Sequence, residues 1–163
     1  DRDWSSDVCS SDLELFSFDI EAIQYAHAPA NRVTPNGLNG EEACTLMQYA
    51  GMSSICNTIG LYGYDVAKDM HDMTAIQQAH MMWYVIDGIH RGKQEASLEN
   101  RNEFNEFTMA FAEAPTAFLQ SKRTGRWWMQ LHDGKFVACS HRDYIVACNN
   151  DIPERWLRAV ERS

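Results

Sequence analysis

The sequence has 163 residues with an apolar share of 45%, which is ordinary for a globular protein and indicates one domain or part of a larger one. Its formal net charge is −9 and its basic residues are scattered, which argues against nucleic-acid binding, because a phosphate backbone needs a clustered basic face. No apolar run reaches the length of a membrane span, and the five cysteines without a secretory signal predict reduced thiols in a cytoplasmic protein.

The first residues, DRDWSSDVCSSDL, differ in character from the rest of the chain. They are rich in Asp and Ser and follow neither a helical nor a strand period. We interpret residues 1–12 as a leader, either translated adapter sequence or a disordered tail, and we assign it no function.

From Leu13 onwards the pattern is that of alternating strands and helices. LELFSFDI predicts a buried strand that closes on an acid, and a loop over residues 26–40 follows it. A helix is predicted over residues 41–50, with Gly51 as its C-cap, and a second strand over residues 55–64. This βαβ order predicts that the two strands are parallel neighbours joined by the helix.

A long helix is predicted next, over residues 73–91, with Asp72 as its cap. Apolar side chains recur along it at three- and four-residue steps, as an amphipathic helix requires. These residues are Met73, Ile76, Ala79, Trp83, Ile86 and Ile89.

The remainder of the chain changes to short elements. Residues 95–105 are predicted to link, and residues 109–115 to form a connecting element. Strands are predicted over residues 117–120, 127–131 and 136–139, with a tight turn at Asp133-Gly134. Helices are predicted from the Ser140 cap to Ala147, and over residues 154–162. We therefore predict a partial α/β domain over residues 13–115 and a C-terminal extension over residues 116–163.

The segment SFDIE holds the most informative side chains. If it is a strand, Asp19 and Glu21 project from the same face, at the carboxyl end of a parallel strand where α/β sites form. Two adjacent carboxylates suit a hard cation such as Mn²⁺ or Mg²⁺. A solvated pair or a loop cap is the alternative interpretation of the same residues.

Several motifs resemble those of the arginase (ureohydrolase) superfamily. SFDIEAI is similar to its S-F-D-x-D motif, and the loop PNGLNGEEA, a helix ending in YAG and a strand close to G-x-Y-E-Y follow in order. The tail, with KRTGRWWMQL and CSHRDYIVACNNDIPERW, resembles an extension found in formimidoylglutamase-like members. The resemblance implies the C-terminal part of a three-layer α/β fold with a parallel sheet, followed by a short β-hairpin and helices in the tail.

The resemblance also implies a chemistry. In that family the motif carboxylates, here Asp19 and Glu21, bind a pair of Mn²⁺ ions that activate a hydroxide. His27, in the loop after the motif, is the one histidine that we place near the site, as a substrate-binding residue. No catalytic residue is assigned.

This sequence departs from the family pattern at several positions. Glu21 replaces the second Asp, Ala30 replaces a glycine, and Gly63 stands where a substrate-holding Glu is expected. The upstream His and the D-A-H-x-D type motif that complete the metal centre do not occur in the sequence. We therefore expect a fragment that is inactive alone, prone to aggregation, and marked by an exposed apolar patch on its sheet.

The resemblance favours a hydrolase that cleaves a linear amidine or guanidine C–N bond, with formimidoylglutamate as the first choice of substrate. An inactive arginase-like homologue that serves as a structural or binding subunit is the alternative. A small-molecule amidine or guanidine is the expected ligand, and neither nucleic acid nor membrane is an expected partner. Nothing in the sequence excludes a homo-oligomer.

Overall fold

A computed structural model describes residues 14–30, 35–111 and 114–161. They form an α/β structure, as predicted, which divides into two compact units, residues 1–93 and residues 94–163. The predicted leader, residues 1–12, lies outside the described residues.

The first unit is built on two parallel strands. Strand β1 spans Leu15–Asp19 and β2 spans Thr58–Tyr62, and they pair in register from Leu15 opposite Thr58 to Asp19 opposite Tyr62. Phe18 of β1 is buried, whereas its neighbours in the chain are exposed, as the two-residue period of a strand requires. The prediction of neighbouring parallel strands joined by a helix is confirmed.

That joining helix is α1, Gly40–Met52. Asn39 and Glu42 form a capping box, because each side chain accepts a hydrogen bond from the other residue's backbone amide, at 2.9 and 2.8 Å. The inner face of the helix packs with the buried end of β1 and the turn after it. The buried members of this core are Phe18, Ile20, Ile23, Ala28, Ala43, Cys44, Leu46, Met47 and Met81.

Helix α2, Met73–Lys93, crosses α1 at very short range because glycines stand at the crossing. A Cβ at Gly88 would lie 2.1 Å from the Gln48 carbonyl oxygen, and a Cβ at Gly51 would lie 2.3 Å from the Val85 carbonyl oxygen. Gly51 therefore does not cap α1, as predicted, but lies within it and allows the two backbones to approach.

The apolar stripe that predicted α2 lies on its solvent side. Trp83 is 62% exposed and Ile86 is 65% exposed. The side facing α1 instead holds Thr74, Met81 and Gly88, which are the buried residues of the helix. The hydrophobic period correctly predicted a helix, whereas the buried side is defined by small residues at the crossing.

The second unit is a four-stranded antiparallel sheet with strand order β3-β4-β5-β6 and two helices. The strands are β3, Phe104–Phe111, β4, Ala114–Ser121, β5, Trp127–Gln130, and β6, Phe136–Cys139. The helices are α3, His141–Cys148, and α4, Glu154–Glu161. Strand β3 pairs with β4 along its full length, so residues 104–111 are a strand and not the linking and connecting segments that the sequence predicted.

Two cores cover the two faces of this sheet. One joins the sheet to the helices through buried Phe118, Trp127 and Trp156, and the other contains Phe104, Leu119 and Trp128. The predicted turn at Asp133-Gly134 is confirmed, with Gly134 at φ +85°, and so is the capping box between Ser140 and Asp143. The unit boundary at residues 93–94 precedes the one predicted after residue 115, because β3 belongs to the sheet of the second unit.

Candidate functional site

Asp19 lies at the carboxyl end of β1, the position at which sites of parallel α/β sheets form. Its side chain is exposed and lies opposite Tyr62, the last residue of β2. The strand ends at Asp19 because its carboxylate oxygen Oδ1 accepts a 2.9 Å hydrogen bond from the backbone amide of Glu21. Asp19 thereby caps a single 3₁₀ turn, Ile20–Ala22.

Glu21 belongs to this turn and not to the strand. The prediction that Asp19 and Glu21 project from one strand face is therefore wrong, because the rule for residues i and i+2 applies only within a strand. The turn nevertheless keeps the two residues adjacent, with the side chain of one on the backbone of the other. The loop-cap interpretation of Asp19 is confirmed, and it is compatible with a second role for the carboxylate.

Gly63 follows β2 and lies against Asp19. Its backbone has φ +82°, a left-handed conformation that glycine adopts without steric cost. A Cβ at this position would lie 2.4 Å from Oδ1 of Asp19. The position where the family has a glutamate is therefore, in this chain, a glycine whose missing side chain makes room for the Asp19 carboxylate.

His27 is exposed in the loop that follows the turn. Its backbone amide donates a 2.9 Å hydrogen bond to the Gln24 carbonyl, and the Gln24 amide donates a 2.9 Å bond to the Leu38 carbonyl. Further along, the buried amide of Ala30 donates to the Thr74 hydroxyl at 2.9 Å. The loop carrying His27 is therefore fastened to its own far end and to α2.

A second polar group, which the sequence analysis missed, lies between β2 and α2. The Asp69 carboxylate accepts hydrogen bonds from the amides of Thr74 at 2.9 Å and Ala75 at 3.0 Å, and from the Tyr64 hydroxyl at 3.2 Å. Asp69 therefore satisfies the amides at the start of α2, and not Asp72 as predicted. The sequence carries no capping signal at this spacing, because the left-handed residues His71 and Asp72 fold the chain back onto the helix.

These contacts shift the ionisation of both partners. Desolvation raises the pKa of Asp69, but the amides of Thr74 and Ala75 lower it by more, so that its pKa falls below the usual range. Desolvation, and then the hydrogen bond to the Asp69 carboxylate, raises the pKa of Tyr64. At neutral pH the pair is therefore a neutral phenol that donates to a carboxylate.

Metal binding was tested on the donor groups of the described residues. Asp19 and Glu21 are hard oxygen donors, which suit Mn²⁺. Among residues 14–30, 35–111 and 114–161, no group of three or more His, Cys, Asp or Glu side chains could hold a metal ion. Two carboxylates do not complete a centre of defined geometry, so these residues alone do not fit a binuclear metal pair.

The hydropathy of the helices was also examined, because it bears on the environment of the site. Within the part of the chain that the structure describes, no helix is both long enough and apolar enough to cross a membrane.

Comparison with known proteins returns solved structures alone. No protein-family profile matches this chain, and no curated protein matches it. The formimidoylglutamase of Bacillus subtilis subsp. subtilis str. 168 is 25% identical over 47% of this chain and 24% of that chain, with a TM-score of 0.45. A formiminoglutamase of Trypanosoma cruzi, crystallised with Mn²⁺, is 17% identical over 46% of this chain and 26% of that chain, with a TM-score of 0.44.

An arginase of Bacillus cereus is 18% identical over 44% of this chain and 25% of that chain, with a TM-score of 0.41. The matched segment thus spans about a quarter of each solved chain. In the motifs of its sequence, and in the solved structures that match it, this chain is similar to the arginase superfamily.

Proposed function

We propose that the chain is part of a ureohydrolase, an enzyme that hydrolyses the C–N bond of a linear amidine or guanidine. Formimidoylglutamate, cleaved to glutamate and formamide, is the substrate that we propose first, and the proposed setting is histidine degradation in the cytoplasm. The observation that carries the proposal is the S-F-D motif with Asp19 at the carboxyl end of β1, in a parallel βαβ unit.

The proposed metal ligands of this chain are Asp19 and Glu21, and the proposed metal is Mn²⁺. Because two carboxylates do not make a metal centre by themselves, the proposal assigns the remaining donors to residues outside the described set. His27 is proposed to contact the substrate, since its imidazole is exposed on a loop fastened close behind the 3₁₀ turn.

A second function is favoured by one observation. Gly63 offers no carboxylate to a cationic substrate, and its left-handed backbone would strain any residue that did. An arginase-like homologue without activity, serving as a structural or binding subunit, is therefore the alternative proposal.

The test is the replacement Asp19→Asn in the complete gene product. Asparagine keeps a side-chain oxygen that caps the 3₁₀ turn but removes the negative charge that a metal ion needs. We expect bound Mn²⁺ to fall and kcat/KM for formimidoylglutamate to drop by more than the roughly 10- to 100-fold that changes outside the ligand set cost. The matched control is Asp133→Asn in the β5–β6 turn, which we expect to leave both measurements unchanged.

The two proposals give different results in this assay. Hydrolysis that is equally fast in Asp19→Asn contradicts the metal-ligand role of Asp19. A complete gene product that is folded, binds no Mn²⁺ and hydrolyses neither formimidoylglutamate, arginine nor agmatine supports the inactive homologue. We expect the 163-residue chain alone to show no turnover above a metal-only blank.

A further inference from the structure

The exposed side of α2 carries a continuous apolar stripe. Its large side chains stand well out of the protein, with exposures of 53% for Ile76, 58% for Met82, 62% for Trp83 and 65% for Ile86. Scattered apolar residues on a surface need no explanation, but a row of them along one helix face is typical of an interaction site. The stripe consists of Ile76, Ala79, Met82, Trp83, Ile86 and Ile89.

The order of residues in this stripe is symmetric about its centre, which lies between Met82 and Trp83. Ile76 and Ile89 are equally distant from that midpoint, and so are Ala79 and Ile86. Reversing the direction of the helix therefore places apolar residues on apolar residues. An interface between two identical chains related by a two-fold axis requires this self-complementarity.

The charges at the two ends of α2 have the same relation. Asp72 precedes the first turn and Lys93 is the last residue, and both are exposed and equally distant from the midpoint. In an antiparallel pair of α2 helices, Asp72 of one copy lies opposite Lys93 of the other at each end. The antiparallel arrangement also aligns the helix dipoles favourably, whereas a parallel pair would place like charges together.

We propose that this face of α2 binds a second copy of the chain, helix against helix and antiparallel, with Trp83 at the centre of the contact. A large aromatic side chain near the centre of an apolar face is the residue type that dominates the affinity of protein interfaces. The inference rests on α2 alone and is independent of the proposed ureohydrolase activity.

The first test is the oligomeric state of the full chain, measured by sedimentation equilibrium over a range of concentrations. We expect the wild-type chain to reach twice the monomer mass. Ile86→Glu should raise the dimer dissociation constant by about tenfold or more, because it buries an unpaired charge in the contact. The matched control is Ile55→Glu, since Ile55 is also an exposed isoleucine, at 41%, but lies outside α2.

Circular dichroism establishes that both variants retain the helical content of the wild type. A wild-type chain that stays monomeric at every concentration overturns the proposal, and so does a dimer that Ile86→Glu leaves as tight as before. Either result would assign the stripe to another part of the same polypeptide or to a different protein.

The second test concerns orientation and uses two single-cysteine additions, Ile76→Cys and Ile89→Cys. These positions are 13 residues apart, which is about 20 Å along a helix, so neither can bond to its own counterpart in an antiparallel pair. Oxidation of an equal mixture should yield a covalent dimer of one chain of each kind. Each variant alone should yield no more dimer than the parent chain with its native cysteines, whereas dimer formation by either variant alone would show a parallel pair and overturn the proposal.

Discussion

Asp19 has two neighbours that explain its position: the amide of Glu21, to which it is hydrogen-bonded, and Gly63, which leaves room for it. A capping carboxylate is held in one orientation, and such fixed orientation is what a metal ligand requires. The replacement of glutamate by glycine at residue 63 therefore removes one candidate side chain and positions another.

We expect Gly63→Ala to release the Asp19 carboxylate from its cap. The added Cβ would lie 2.4 Å from Oδ1, and an exposed carboxylate moves more readily than a backbone. The left-handed backbone should also cost about 1–2 kcal/mol of unfolding free energy. Faster hydrogen exchange of the Glu21 amide, measured by NMR, is the expected signature.

Gly125→Ala is the matched control for this substitution. Gly125 also has a positive φ, +73°, but no atom lies within 4 Å of a Cβ placed there. It should show the backbone cost in urea unfolding without any change at Glu21. An unchanged exchange rate of the Glu21 amide in Gly63→Ala would contradict the close contact with Asp19.

The lowered pKa of Asp69 predicts a pH dependence with a definite sign. Because its folded-state pKa lies below the unfolded one, the carboxylate stabilises the fold above the unfolded pKa, and this contribution is lost as pH falls through the folded pKa. Asp69→Asn should therefore be less stable than wild type at neutral pH, and the difference should shrink on acidification. Asp72→Asn is the control, since the backbone amides of Thr74 and Ala75 donate to Asp69.

Urea unfolding of the three chains between pH 7 and pH 2 measures this effect. A gap between wild type and Asp69→Asn that persists at the lowest pH would show that the charge of Asp69 is not what stabilises the start of α2.

At the scale of elements, the contact between α1 and α2 is a contact of backbones. Gly51, Gly88 and Gly92 each leave space that a methyl group would fill, with the nearest carbonyl oxygen at 2.3, 2.1 and 2.9 Å from the Cβ position. Around this crossing the Gln48 amide donates to the Asp87 carboxylate, which also pairs with Arg91. The two helices are therefore held by small residues and a polar group at their margin.

Gly88→Ala should destabilise the first unit although alanine favours helices. The atom in its way is a backbone oxygen, so the helices must separate, and overpacking of this kind costs about 1–3 kcal/mol. Gly92→Ala, with its Cβ site 2.9 Å from the Met52 carbonyl, is the graded comparison and should cost less. Thermal unfolding followed by circular dichroism ranks the two, and a more stable Gly88→Ala would contradict the close crossing.

At the scale of the whole molecule, each unit has apolar cores made of its own residues. The buried core of the first unit lies within residues 18–81, and the two cores of the second lie within residues 104–156. A separate core is the property by which a domain folds independently. The second unit also contains Trp127, Trp128 and Trp156, all buried, which report on its packing.

We expect residues 94–163, expressed alone, to fold cooperatively. Near-ultraviolet circular dichroism should show ordered tryptophans that lose their signal in one thermal transition. Trp127→Phe should weaken the signal, since Trp127 stacks on Phe107 and Tyr144 with ring centroids 5.4 and 4.9 Å apart. A tryptophan spectrum like that of the unfolded chain would show that this unit depends on other residues for its structure.

Much of the local structure of this protein was predictable from its sequence. The strand before Asp19, the helices of residues 40–52 and 73–93, the Ser140 capping box and the Asp133-Gly134 turn follow from hydrophobic period and from chemistry between residues a few positions apart. The parallel pairing of β1 with β2 was predictable from the order of elements. The motif that brings Asp19 to the end of a strand is likewise a property of the sequence alone.

The tertiary structure decided what depends on residues distant in the chain. The buried side of α2 is set by how closely Gly88 lets the Gln48 carbonyl approach, and so the apolar stripe lies on the other side. Residues 104–111 become a strand because β4 pairs with them, and Asp69 caps α2 because a left-handed turn brings it there. A period in the sequence reports that a helix or strand has two unlike faces, but the partner that lies against each face is determined by contacts across the fold.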